Sequence, residues 1–367
     1  MRARRAAPRP KKSCSGWNPN CATHWPRPSR AVRVPARFRP EVSRVRGGLA
    51  SAIALAAALT LSGCVGSDLA PRKTSVTPEA RPPGAAPAAT APTPEASPAS
   101  KALSQYYGRV QNDLVARGLL RTDGGGPDTA FTDTMLVRNF AAIALEEEYE
   151  RGAGLRPSSG APSAIKKWTI PVRMTTEFGA HVPKEQIASS KAAVASYAAR
   201  LSRITGHPIS MVDSNPNYHV LFMSEDDADQ IAPRIRQIVP DVNPNALRIF
   251  NNLPRGIHCV VVAFSRSPGG YDYGTAIAII RSEHPPLLRR SCIHEELAQG
   301  MGLGNDSPRA RPSIFNDDDE FALLTTHDEL LLKILYDPRL KPGMRAEEAM
   351  PIVQQKAADL MGTSGPS

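Results

Sequence analysis

The sequence predicts an α+β domain in which a mixed sheet packs against a long backing helix, preceded by a disordered N-terminal tether. Short apolar runs typical of strands alternate with amphipathic helical segments between residues 164 and 362. Residues 65–100 consist largely of Pro, Ala, Thr and Ser and lack the large apolar side chains from which a core is built. A chain of 367 residues with these features is expected to contain one folded domain with tails.

Positive charge is concentrated at the N-terminus. Residues 1–46 contain 13 Arg and Lys and one acid, a net charge of +12, whereas the remaining residues have 32 basic and 34 acidic side chains, a net charge of −2. The total of +10 therefore describes a basic leader, and nucleic-acid binding by the folded domain is not expected. Because residues 1–40 show no periodicity, we hypothesise that the start codon is assigned too early and that synthesis begins near Val42 or Val45.

Residues 47–64 are predicted to form a lipoprotein export signal. An apolar run of about 14 residues follows basic side chains, which suits a signal peptide and is too short to cross a bilayer. A buried Ala-rich helix is the alternative. The run ends in Leu61-Ser62-Gly63-Cys64. This ending resembles the bacterial lipobox, whose Cys is acylated and becomes the first mature residue. The resemblance implies an exported protein held in the cell envelope by a lipid such as palmitate on Cys64, expected at the outer membrane and facing the periplasm.

Cysteine usage is consistent with export. Cys14 and Cys21 lie in the leader and Cys64 is the predicted lipidation site, so only Cys259 and Cys292 remain in the folded part. An even pair in an oxidising compartment predicts a disulfide between Cys259 and Cys292. Two buried free thiols are the alternative.

Residues 101–163 are predicted to form a helical N-terminal segment. Apolar positions at helical spacing indicate one helix over residues 102–115 and a second over residues 132–151. The second carries the run Glu146-Glu147-Glu148, which we interpret as a solvated helix face rather than a metal site.

Residues 164–362 form the main predicted domain. Residues 168–174 alternate as a strand, and Pro171 favours a position at the sheet edge because it has no N–H to donate. A long helix is predicted over residues 183–203, since Pro opens it and apolar side chains share one face. The strand over residues 257–264 is expected to be buried. The other predicted elements are strands at 208–212, 218–223 and 275–280, and helices after Ser224, over the motif below, over 326–336 and up to about residue 361.

The segment from Ser291 to Asp306 is the most informative about function. Read from His294, it starts like H-E-x-x-H, a zinc-binding helix with two His one turn apart, but Ala298 occupies the second His position and cannot bind metal.

Read from Glu295, the same segment resembles H-E-x-x-H-x-x-G-x-x-H-D, the metzincin pattern. The catalytic Glu falls on Glu296, the helix-ending Gly on Gly302 and the trailing Asp on Asp306. The three His positions hold a carboxylate and two amides, at Glu295, Gln299 and Asn305.

The metzincin resemblance implies a zincin-like fold, in which a strand, a long helix and further strands precede the motif helix and a small helical part follows. It also implies a Met-containing turn before the last helix, which Pro342-Gly343-Met344 would provide. Because neutral amide oxygens are poor zinc ligands, no cofactor is expected and zinc is disfavoured.

A second resemblance covers about residues 165–345. The motif segment, residues 313–317 and residues 328–338 are similar to an uncharacterised family of proteobacterial lipoproteins, domain of unknown function 2927. The resemblance implies an envelope location and supplies no mechanism.

Three functions remain open. The leading hypothesis is a metal-free, pseudoenzyme-like cleft that binds a peptide, a glycan or another envelope component, with Gln299 and Asn305 as hydrogen-bonding groups. The second is an active hydrolase or metallopeptidase in which Glu296 is the general base and Glu295 a ligand or second acid. The third is a structural envelope protein in which the motif side chains form a satisfied network.

Two His residues are further candidates in the hydrolase hypothesis. His294 lies one residue away from the expected ligand face, and His327 begins a later helix. For His294, a partly buried ring bonded to a backbone carbonyl is the alternative to a ligand role.

Overall fold

The computed structural model describes residues 93–149, 158, 160–244, 247, 250, 253–316 and 318–362. The leader, the export signal, Cys64 and most of the predicted tether lie outside these residues. The helices are α1 (Pro98–Ala116), α2 (Asp133–Ala144), α3 (Lys184–Thr205), α4 (Ala228–Ile238), α5 (Pro286–Gln299), α6 (Thr326–Leu335) and α7 (Ala346–Gly362). The strands are β1 (Lys167–Trp168), β2 (Val172–Phe178), β3 (Ile209–Met211), β4 (Tyr218–Met223), β5 (Cys259–Ser265) and β6 (Asp272–Arg281).

The strands form one mixed sheet, which confirms that part of the predicted fold. Five strands follow the order β1-β6-β4-β2-β3, and every neighbouring pair among them is parallel. β5 pairs with β6 in the antiparallel direction, so one edge of a parallel sheet carries an antiparallel strand.

Both faces of the central strands are covered. On β4, Val220 and Phe222 belong to a core shared with α3 and α5, whereas Leu221 and Met223 pack with α4. Because successive side chains of a strand point to opposite faces, a continuous apolar run fills both layers.

The long helix α3 lies where the sequence predicts it. It follows Pro183 and ends at Gly206, whose left-handed φ of 67° suits a residue without a Cβ. Helix α2 contributes Leu136, Phe140 and Ile143 to the same core as α3 and α5. Packing therefore joins the predicted N-terminal segment to the main domain.

Three local predictions are wrong. Residues 168–174 do not form one edge strand: the chain leaves the sheet around Pro171, and β2 pairs on both sides, because a missing N–H interrupts a ladder without requiring an edge. The strand predicted to be buried, β5, is at the edge and mostly half-buried. Helix α2 ends at Ala144, well before residue 151. In the part of the chain that the structure describes, no helix is long and apolar enough to cross a membrane.

Candidate functional site

The C-terminal end of α5 is held by side chains from the rest of the domain. The last carbonyls of a helix lack partners within the helix. Here the Tyr218 hydroxyl donates to the Glu296 carbonyl at 2.9 Å, and the Trp168 ring N–H donates to the Gly300 carbonyl at 2.9 Å. The Tyr336 hydroxyl donates to the Met301 carbonyl at 3.0 Å. These bonds fix the position of the turn that carries Glu296.

The chain leaving α5 approaches its neighbours too closely for side chains. A Cβ on Gly300 would overlap the Tyr218 hydroxyl, and a Cβ on Gly302 would overlap the Lys166 carbonyl oxygen. Gly302 also has a φ of 122°, which L-residues rarely adopt. The glycine that the metzincin alignment assigns to the helix end therefore has a steric reason to be there.

A disulfide joins Cys259 to Cys292, as predicted. Cys259 begins the edge strand β5, and Cys292 lies on α5. The bond therefore ties the edge of the sheet to the motif helix at one end of the space between them.

An open cleft of about 310 Å³ lies between β5 and α5. From α5 it is lined by Ser291, Glu295 and Gln299, which are four residues apart and so share one helix face, and by Glu296. Residues 256–261 line the opposite side, and further contributions come from residues 148–149 and from residues between 306 and 321.

Glu296 lies in the wall of the cleft and is only 4% exposed. The backbone N–H of Val261 on β5 hydrogen-bonds its carboxyl group. Its Oε2 is buried and has no hydrogen-bond partner among the described residues. Burial raises the pKa of Glu296 well above its ordinary value, and the negative charges of Glu295, Glu148 and Asp306 raise it further. A buried polar atom without a partner is uncommon in a folded protein and calls for an explanation.

The acidic run before the cleft is not a solvated helix face. Because α2 ends at Ala144, the run belongs to an irregular segment beside the cleft. Glu147 accepts a 2.6 Å bond from Lys166 and a 2.6 Å bond from Ser163, and Glu148 lines the cleft. No local feature of the sequence distinguishes this run from an exposed one.

Tyr149 follows this run and also lines the cleft. Burial raises the pKa of the Tyr149 hydroxyl, and a hydrogen bond with Glu148 and the charges of Asp306 and Glu296 add to the effect. A neutral phenol is therefore placed beside the carboxylates. The sequence does not point to Tyr149, because nothing around it resembles a motif.

The three positions aligned with zinc ligands do not converge. Glu295 and Gln299 line the cleft, and the Gln299 amide donates to Asp306 at 3.0 Å. The Asn305 amide donates instead to the Ala142 carbonyl at 2.7 Å in a buried position. Asn305 thus ties the segment after α5 to α2.

His294 lies on the other side of α5. Its Nδ1 accepts the Leu324 backbone N–H at 3.1 Å, and its ring stacks on Tyr197 with centroids 4.0 Å apart. Burial lowers the pKa of His294 to about 3, with Arg200 and Arg290 adding to the effect. The ring is neutral and bonded to a backbone donor, not to the carbonyl that the sequence suggests.

A family model described as a protein of unknown function (DUF2927) matches residues 133–355, more than half of the chain. The chain belongs to this family. The predicted family resemblance is thereby confirmed, and the matched residues run from the start of α2 into α7 and include the whole cleft lining. No curated protein matches the chain. No solved structure matches it either.

Two further sequence candidates lie within the DUF2927 region but not in the cleft lining. Met344 accepts the Ile165 N–H at its carbonyl, 2.8 Å away, and its sulfur lies 3.3 Å from the Lys341 nitrogen. His327 is fully buried, with Nε2 3.1 Å from the Asn139 amide nitrogen. Both positions join elements of the fold.

Within the described part of the DUF2927 region, one group of side chains has metal-ligand spacing. Oxygens of Glu295 and Glu296 and the sulfur of Cys259 lie within 4.8 Å of one another. The sulfur belongs to the disulfide and is not a thiolate, so two carboxylates remain. With Asn305 directed elsewhere, these residues do not form the His- or thiolate-rich set that zinc requires.

Proposed function

We propose that the cleft between β5 and α5 binds an extended, positively charged peptide segment, and that Glu296 recognises it from the wall of the cleft. The observation that carries this proposal is the Oε2 of Glu296, which is buried without a partner among the described residues in the wall of an open cleft. A polar group of a ligand would supply the missing hydrogen bond, which is a charge-assisted one if the ligand group is cationic.

The edge strand supports an extended ligand. Within the described ranges, β5 pairs with β6 alone, so its other edge has no strand partner. Peptides commonly bind such edges by adding a strand, with backbone hydrogen bonds providing affinity. A second groove of about 140 Å³ shares Glu148, Tyr149, Val261 and Gln299 with the cleft and extends it along β5 to Ala263.

The charge of the lining supports a cationic ligand. Carboxylates of Glu148, Glu295, Glu296, Asp306 and Asp319 line the cleft, and of its described lining residues none is Lys or Arg. The negative potential of these carboxylates attracts positively charged ligands and disfavours acidic ones.

A zincin-like arrangement without zinc is part of the proposal. An edge strand facing the motif helix α5, a long helix α3 packed in the same core as α5 and a helical C-terminal part follow the order that the metzincin resemblance implies. At two of the three ligand positions, Gln299 and Asn305 bond to protein groups instead, which supports a binding domain rather than a metallopeptidase.

The proposed location is the bacterial envelope, through lipidation of Cys64. The lipobox-like ending of the apolar run supports it, and a disulfide in the folded part is consistent with an oxidising compartment. Palmitate labelling of cells that express the chain or its Cys64→Ser variant tests the anchor. We expect the label on the parent chain alone, and equal labelling of both would contradict the assignment.

Peptide binding is tested with three fluorescent peptides of equal length. One alternates Val and Lys, and a second alternates Val and Glu. A third replaces every Val of the first by Pro and keeps every Lys. We expect the Lys peptide to bind. The Glu peptide should fail because of charge, and the Pro peptide should fail because it lacks the N–H groups needed to add to a strand.

Two variants locate the peptide site. Glu296→Gln should weaken binding of the Lys peptide by about tenfold or more, since a bound ammonium group favours the ionised form of Glu296 and an amide cannot ionise. Glu185→Gln removes an exposed carboxylate on α3 and should leave affinity unchanged. Equal binding of the Lys and Glu peptides would overturn the proposal. Binding of an amino-sugar polymer but of no peptide would redirect it to a glycan.

A hydrolase remains a second candidate because of one observation. A carboxyl whose pKa is raised well above normal, beside a second carboxylate and a Tyr, suits general acid catalysis. Glu296 would then donate a proton rather than act as the general base. Cleavage of the Lys peptide by the parent chain, lost in Glu296→Gln, would establish this activity.

A further inference from the structure

A second cavity lies on the opposite side of the motif helix. It measures about 240 Å³, is open to solvent and lies between α3 and α5, and Leu323 also lines it. Its α5 residues are Arg290 and His294, four positions apart, and Ile293 between them. This spacing places Arg290 and His294 on one face of the helix, turned away from the stripe that lines the cleft.

Three arginines converge on this cavity, which we call the arginine pocket. Arg200 and Arg203 come from α3, and Arg290 comes from α5. Arg200 pairs with Glu329 at 2.8 Å and donates to the Leu324 carbonyl at 3.1 Å. In the described parts of the chain, Arg203 and Arg290 have no hydrogen-bond or ion-pair partner. Two guanidinium groups without a carboxylate thus border the same cavity.

The wall of the arginine pocket adds a fixed donor. Because Nδ1 of His294 accepts the Leu324 N–H, the neutral ring carries its proton on Nε2. Stacking on Tyr197 and a 2.8 Å bond from the Tyr197 hydroxyl to the His294 carbonyl fix the ring and its backbone. The nitrogen left for a ligand is therefore a hydrogen-bond donor in a rigid position. The Ser196 hydroxyl also borders the cavity.

We propose that the arginine pocket binds a phosphate-bearing anion. Guanidinium groups match the geometry of phosphate oxygens and bind them through paired hydrogen bonds, whereas the pocket offers little to a cation. Arg203 and Arg290 bind the anion from two helices, Arg200 adds charge from its paired position, and the imidazole N–H binds a remaining oxygen. This site is separate from the acidic cleft and does not depend on its function.

The test measures binding of inorganic phosphate by calorimetry, on the full chain carrying Cys64→Ser so that no lipid is attached. The double variant Arg203→Ala with Arg290→Ala should lose at least about tenfold in affinity. The matched control is Arg109→Ala with Arg236→Ala. It removes the same charge from two exposed arginines on α1 and α4 that lack partners in the described ranges. Its affinity should equal that of the parent chain.

A lysine pair refines the test. Arg203→Lys with Arg290→Lys keeps the charge but loses the planar, forked donors, and should lie between the parent and the alanine variant. Equal losses in the alanine variant and in the matched control would show general electrostatic attraction and overturn the site. Absence of phosphate binding to the parent chain would also overturn it.

Vesicles distinguish the two sources of phosphate. Sedimentation with phosphatidylglycerol vesicles is compared with sedimentation with phosphatidylcholine vesicles. The three proteins are the parent chain, the double alanine variant and the matched control, which all carry the same basic leader. A loss specific to Arg203→Ala with Arg290→Ala supports a lipid headgroup as the ligand. Equal vesicle binding by all three, with phosphate binding still lost in that variant, supports a soluble phosphate compound.

Discussion

The two sides of the motif helix α5 each hold one buried ionisable group, and the two groups differ in their hydrogen bonding. His294 and Glu296 are two residues apart, and burial disfavours the charged form of each. His294 has a backbone partner at 3.1 Å and stacks on Tyr197. The Oε2 of Glu296 has no partner in the described structure.

This difference separates a structural role from a binding role. Burial with satisfied hydrogen bonds stabilises a fold, whereas burial of an unpartnered oxygen costs free energy that a ligand can recover. On the His294 side, Arg203 and Arg290 have no partner in the described ranges, but both are exposed and border the arginine pocket rather than the core. The sequence places His294 and Glu296 in one motif, and only their surroundings distinguish them.

The largest expected change in stability comes from removing the disulfide on the cleft side of α5. Replacing Cys259 and Cys292 by Ser opens a loop with a sequence separation of 33. It should lower the free energy of unfolding by about 4 kcal/mol. Urea unfolding measures this loss.

Ligand binding by the same variant sharpens the comparison. Peptide binding in the cleft should weaken, because β5 is no longer tied to α5, while phosphate binding in the arginine pocket should persist. Reduction of the parent chain by a small dithiol provides a second measurement if the variant does not fold. Equal weakening of both sites would show that the two sides are not independent.

The second effect concerns acid stability on the His294 side. The unfolded chain binds a proton at His294 below its ordinary pKa of 6.5, whereas the folded chain does so only near a pKa of about 3. Stability should therefore fall as pH drops from about 6.5 towards 3, by up to about 1.4 kcal/mol per pH unit. In His294→Gln this contribution disappears. The free energy of unfolding of the parent, measured relative to this variant, should fall by about 2–3 kcal/mol between pH 7.5 and pH 4.5. An unchanged difference would mean that His294 is not held neutral.

The smallest expected effect is the contribution of Glu296 to stability, whose pH dependence is opposite to that of His294. The pKa of Glu296 is raised on folding, so its contribution to stability is greatest below its ordinary value of 4.5 and is lost as pH rises towards the folded pKa. Glu296→Gln stays neutral at every pH. It should unfold at higher urea concentration than the parent at pH 8, by on the order of 1–2 kcal/mol, and this advantage should vanish near pH 4. A variant less stable than the parent at pH 8 would show that the carboxylate is satisfied after all.

Local sequence patterns predict most of the helices and strands, but they do not predict the surroundings of some residues. The long helix α3, the strand β4 and the helix α6 lie where apolar periodicity and capping residues place them. The predictions for Pro171 and for the acidic run at 146–148 are wrong, because a missing N–H and a cluster of charges each fit more than one environment. The environment of each is set by neighbours far away in the chain.

The sequence by itself determined the helices and strands with clear periodicity, the pairing of Cys259 with Cys292, the family, and the glycine at position 302. These follow from local spacing, from residue counts and from a motif. The tertiary structure alone decided that Glu148 and Tyr149 meet Glu296, that Asn305 turns to α2, and that arginines of α3 and α5 share a pocket. The physical reason is that the 3.6-residue period of a helix makes its apolar and polar faces visible in the sequence. Which distant segment packs against each face depends on the apolar surface that folding buries.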